Sequence, residues 1–131
     1  MILPNKLLTL DYDPAKDVLT VEWPNFEAYA LPELRHILDS VVETVRSYDI
    51  KHLLIDARSA VIAVEQKEYD EIAGNFAHSL LTTRLKKLAR LITHSSIRET
   101  HVQNFKQKAN FSFEVESFAT KEEALLWLEK A

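Results

Sequence analysis

The chain has 131 residues, the size of one domain, and its 16 Lys and Arg against 20 Asp and Glu leave a formal net charge of -4. Without the basic excess that phosphate neutralisation calls for, it is not expected to bind nucleic acid. The absence of cysteine excludes thiol nucleophiles, disulfides, iron–sulfur clusters and cysteine zinc sites, and a single glycine, Gly74, is too few for a P-loop or a dinucleotide fingerprint.

The first predicted element is a hairpin. Leu8, Leu10 and Tyr12 alternate with Leu7, Thr9 and Asp11. Asp13-Pro14-Ala15-Lys16-Asp17 has turn chemistry, Pro14 fixing φ and the aspartates favouring local turn bonds. Val18 to Trp23 returns, with Leu19, Val21 and Trp23 on one face, and Pro24 stops the strand. A first helix follows Pro32, its buried stripe drawn by Leu34, Ile37, Leu38, Val41, Val42 and Val45, and it is expected to end near Tyr48-Asp49. His52 to Ala57 contains the apolar run Leu53-Leu54-Ile55, which fits an internal strand covered on both faces.

A second helix carries Tyr69, Ile72, Ala73, Phe76, Ala77 and Leu80, and Gly74 costs it about 1 kcal/mol relative to alanine. Leu88 to Thr93 is the next strand. Ser96 to Glu99 spells a capping box that opens a third helix with Ile97, His101 and Phe105 on one side. Phe111, Phe113 and Val115 alternate as a final strand. Thr120 to Glu123 is a second capping box, opening a fourth helix with Ala124, Leu125, Trp127 and Leu128.

The order β-β-α-β-α-β-α-β-α predicts one layered α/β domain over residues 1–131. It has a mixed five-strand sheet, an opening antiparallel hairpin and four helices. No stretch approaches the ~20 apolar residues that span a bilayer, so the chain is not expected to cross a membrane. No basic leader with a long apolar run opens it, and a cytoplasmic location is the expectation.

The element order resembles the STAS group, the sulfate-transporter and anti-sigma-factor-antagonist domains, and is most similar to its SpoIIAA-like bacterial branch. Three stretches carry the resemblance: the hairpin Leu7 to Trp23, the strand and turn Leu53-Leu54-Ile55-Asp56-Ala57-Arg58, and the closing segment from Phe118 to Leu128. The resemblance implies a non-enzymatic regulatory or protein-interaction module with a protein partner. Anti-sigma antagonists place a phosphorylatable serine beside an aspartate and shortly before a glycine. Here Asp56 is followed by Ala57, Arg58, Ser59 and Ala60. The serine is displaced and no glycine follows, so Ser59 is not expected to be a phosphoswitch. A thinner resemblance to CRAL-TRIO-type carriers supplies the alternative, a carrier or sensor of a small lipid or apolar acid. An enzyme is the third reading.

Ligands of open α/β sheets sit beyond the carboxyl ends of parallel strands. Two such ends are readable: Asp56-Ala57-Arg58-Ser59, and Thr93-His94-Ser95-Ser96 running into a helix N-terminus. If the two strands are neighbours, Asp56, Arg58, His94, Ser95 and Ser96 form a candidate binding site for a small anion. The commoner role for these residue types is local, with Asp56 and Arg58 meeting backbone groups and Ser96 capping its helix. The five histidines form no His-x-x-x-His pair, so no metal site is assigned. Ser95, His101 and Asp56 could be composed into a triad, but no nucleophile elbow supports it. No catalytic residue and no cofactor is therefore assigned. The basic run Arg84-Leu85-Lys86-Lys87-Leu88-Ala89-Arg90 could meet an acidic partner, a phosphate or a membrane surface, and the commoner reading is a solvated connection between the second helix and the next strand. Trp127 is expected to be buried against the sheet. The hairpin is expected at a sheet margin, where Leu7 and Val18 fall on the face opposite Leu8 and Leu19. Either helices cover both faces or a second subunit covers one, and a homodimer through the hairpin or the first helix is expected.

Overall fold

The computed structural model describes residues 2–3, 9–22, 31–56, 66–91 and 113–130. Six strands form one mixed sheet in chain order: β1 (Ile2–Leu3), β2 (Leu10–Asp13), β3 (Val18–Glu22), β4 (His52–Asp56), β5 (Lys87–Leu91) and β6 (Glu114–Phe118). Pairing is antiparallel from β1 to β3 and parallel from β3 to β6. The five expected strands are all present, and the two residues of β1 extend the sheet beyond the hairpin. Three helices are described: α1 (Leu31–Ser47), α2 (Gln66–Leu80) and α3 (Lys121–Glu129), the last being the fourth predicted from the sequence. The helix expected from Ser96 onward lies outside the described residues, as do Trp23, Ser59 and Phe111.

The hairpin turn forms as its residue types dictate. Asp13 Oδ1 accepts the amide of Ala15 at 3.0 Å and that of Lys16 at 3.4 Å. Asp17 takes a left-handed φ of 55° and accepts the Tyr12 hydroxyl at 2.8 Å. Burial and this bond to a carboxylate push the Tyr12 phenol up to about 12.

Helix α1 ends as expected before Asp49. Asp49 adopts φ 53°, its amide bonds Arg46 O at 3.3 Å, and the next amide, from Ile50, bonds Val45 O at 3.0 Å. Those two bonds are a Schellman cap, with Asp49 in the position usually given to glycine. Val45 and Ile50 are both fully buried, which supplies the apolar contact that accompanies such caps.

Consecutive parallel strands joined by crossovers of one hand place successive helices on one side of the sheet. Accordingly α1 and α2 pack on each other and on one face, around Leu10, Leu19, Val21, Leu53, Ile55 and Leu88. Each fully buried side chain of this size contributes roughly 1.5–3 kcal/mol from removal from water. Helix α3 covers the other face, where Ala124 and Leu128 meet Val18, Leu54, Ala89 and Leu91. Its N-cap is Thr120, whose hydroxyl accepts the Glu123 amide at 3.3 Å and donates to the Glu123 carboxylate at 3.2 Å.

Three expectations are corrected. Val18 is 3% exposed because α3 of the same chain covers it, so it needs no second subunit. Trp127 is only partly buried, tilted against Phe118 with ring centroids 5.6 Å apart, while Ala124 and Leu128 form the buried side of the helix. The last strand begins after Phe113 rather than running through it, because the parallel register starts with Lys87 opposite Glu114.

Candidate functional site

The register of the parallel strands puts Glu22, Asp56 and Leu91 in one row at their carboxyl ends. Strands β4 and β5 are neighbours, and their last residues, Asp56 and Leu91, pair in register. Asp56 is half-buried at this edge. Arg58, His94, Ser95 and Ser96 lie outside the described residues. The segments 23–30, 57–65 and 92–112 all lie between a parallel strand's carboxyl end and the next described element.

One residue beside this edge was missed by the sequence reading. Arg90, in β5, is 8% exposed and pairs in register with Ile55 and Ser117. Its Nη1 donates to Ser117 Oγ at 3.3 Å. Alternation along Lys87-Leu88-Ala89-Arg90-Leu91 puts Arg90 on the side of α1 and α2 and the carboxylate of Asp56 on the side of α3. The edge thus carries opposite charges on its two faces. An arginine in a strand otherwise built of leucine and alanine was the available signal, since arginine is seldom buried without partners.

The basic run from Arg84 to Arg90 is not simply a solvated connection. Arg84 and Lys86 are exposed, but Lys87 and Arg90 are within β5 and buried. Strand β5 is covered by helices on both faces, so a long side chain on either face lies along apolar surface with its charged end carried to a polar rim.

The displaced ionisations are at the other end of the sheet. Tyr12 is raised by its turn, as described above. The Asp49 carboxyl is held below its ordinary range by the bond from Lys51, with the charges of Lys51 and Arg84 adding to it. Lys51 Nζ lies 2.9 Å and Arg84 Nη1 3.6 Å from Asp49 Oδ2. Both shifts belong to local turn and cap structure. Of the histidines, His36 and His78 are exposed on α1 and α2, and His52 begins β4. Among the described residues no group of three His, Cys, Asp or Glu is placed to hold a metal. Among them, too, no helix is long and apolar enough to cross a membrane. Comparisons with protein-family models, curated proteins and solved structures return no match.

Proposed function

We propose that this chain is a non-enzymatic regulatory or protein-docking module of STAS-like type, working in a bacterial cytoplasm without the usual serine phosphoswitch. One observation carries the choice of a docking module over a carrier. Among the described residues, the layer between the sheet and helices α1 and α2 holds one contiguous cluster of buried side chains, from Leu10 and Leu19 through Val41 and Leu53 to Phe76 and Leu88. A carrier would hold its apolar cargo in that layer, as an enclosed cavity with a polar mouth. A packed layer supports recognition at the surface, and the carboxyl edge at Asp56 is the part of an α/β sheet where ligands commonly bind.

Two measurements test this together. A photo-crosslinking residue at position 56, introduced in the producing cell, is expected to capture one defined protein in fixed stoichiometry. A native mass spectrum of the freshly purified chain is expected to show no retained small molecule. A stoichiometric lipid or apolar-acid adduct would replace the docking reading with the carrier. Stoichiometric phosphate on Ser59 would keep the regulatory module and restore the phosphoswitch.

A further inference from the structure

At the opposite end of the sheet, the pairing register sets Val18, His52, Lys87 and Glu114 in one row across β3, β4, β5 and β6. The hairpin turn and the C-terminal end of α3 close over this row. The result is an open groove of about 680 Å³, lined among others by Lys16, His52, Lys86, Lys87, Glu114 and Lys130. That volume is in the range of small-molecule sites, roughly 300–1,000 Å³. His52 Nδ1 lies 3.1 Å from Asp17 O, a bond that ties the turn to the start of β4.

The charge of the groove is unbalanced. Among the described residues its wall has four lysines against two glutamates, an excess of two positive charges in a chain whose net charge is -4. Lys16 is matched by Glu129 at 3.0 Å. Lys86, Lys87 and Lys130 have no carboxylate partner among the described residues. Lys87 is the telling member, because it is only 8% exposed. Its ammonium donates to Trp127 O at 2.9 Å and to Lys130 O at 2.6 Å, and lies 4.9 Å from the centroid of the Trp127 ring. Carbonyl dipoles and an aromatic face stabilise a cation, but they leave its whole charge uncancelled. An ammonium has three N–H donors, and these two bonds use two of them.

We propose that this groove binds the phosphate group of a small phosphorylated molecule, with Lys86, Lys87 and Lys130 as its cationic wall. A phosphate monoester has a charge of roughly -1.5 to -2 at neutral pH, which matches the excess of the wall. Its oxygens accept charge-assisted bonds from ammonium groups held in place. Lys87 is held by its two carbonyl acceptors, so one donor is positioned before any ligand arrives. The site lies at the end of the sheet away from Asp56 and does not depend on the protein-docking reading.

The test is a titration of ¹⁵N-labelled protein with inorganic phosphate and with pyrophosphate, against sodium chloride at equal ionic strength. Saturable displacement of the Lys86, Lys87 and Lys130 amides and of the Trp127 indole is expected with the phosphates alone. The double variant Lys86→Gln and Lys130→Gln alters two exposed side chains and is expected to unfold like the parent. It should bind about tenfold more weakly or worse, the scale of a lost charge-assisted contact. A linear drift that chloride reproduces, or unchanged binding by the folded double variant, would overturn the proposal.

Discussion

The ammonium of Lys87 donates to the carbonyl oxygen of Trp127 at 2.9 Å while lying 4.9 Å from the same residue's ring. One cation at the start of β5 thereby holds both the backbone and the side chain of the closing helix. It also bonds Lys130 O at 2.6 Å, and so joins the Lys130 amide, 3.3 Å from Trp127 O, in closing the end of α3. A nine-residue helix is marginal by itself, and its position comes from contacts of this kind together with Ala124 and Leu128.

Lys87→Met is therefore expected to destabilise the protein although methionine preserves most of the apolar stem. The loss should be about 1–3 kcal/mol, the scale for losing hydrogen bonds to a charged group. Urea unfolding measures it, and the near-ultraviolet signal of tryptophan should change with it. A variant with parental stability and an unchanged spectrum would show that α3 does not depend on this residue.

Val18 and Leu128 test the same docking from its apolar side. Val18 is 3% and Leu128 1% exposed, and they belong to one cluster. Leu128→Ala should cost about 2–5 kcal/mol. Val18→Lys buries an unpaired charge and should cost more than about 3 kcal/mol, or prevent folding. A folded Val18→Lys protein with near-parental stability would mean that α3 leaves this face open, and light scattering on it would then show whether a second subunit covers it.

Much of the fold was legible in the sequence because period and punctuation agreed. Leu34 to Val45 repeat at helical spacing, the aspartates around Pro14 spell a turn, and the run Leu53-Leu54-Ile55 announces a strand covered twice. Other features had no local signal. Ile2–Leu3 is too short to show a period. Lys87 and Arg90 sit three apart on opposite faces of β5, and both are interior because helices cover both faces of the strand. Asp56 could be placed at the carboxyl edge because strand order alone defines that edge. The basic groove could not, since it gathers residues from Lys16, His52, Lys86 and Lys130, which only the sheet register brings together.

The backbone at Asp49 yields a third expectation. With φ 53° it occupies a region that glycine and asparagine enter easily and β-branched residues do not. Asp49→Val should cost about 1–3 kcal/mol through backbone strain, and Asp49→Gly should stay close to the parent. The acid limb adds a second readout. The folded carboxyl ionises below its unfolded value of 3.8, so its stabilising contribution is present above that value and is lost as pH falls through the folded one. Asp49→Asn keeps the backbone conformation and should flatten this limb in acid unfolding curves. Equal costs for the valine and glycine variants would remove the conformational argument.

Tyr12 gives the corresponding expectation on the alkaline side. Its hydroxyl donates to Asp17 Oδ1 at 2.8 Å, and its ionisation is pushed from 10.0 to about 12, first by burial and then by the bond and the charge of Asp17. The folded chain therefore keeps this proton after the unfolded chain has released it. The stabilising contribution is complete below pH 10.0, declines between 10.0 and about 12, and is gone above that. Spectrophotometric titration should show a late phase that is absent from Tyr12→Phe. The same variant should lose less stability than the parent between those two pH values, because it has no phenol to ionise. Asp17→Asn should bring the late phase down, since the carboxylate that opposes phenolate formation is then uncharged, while the left-handed turn is kept. A late phase that persists unchanged in Tyr12→Phe would assign it to another tyrosine and break the link between this turn and alkaline stability.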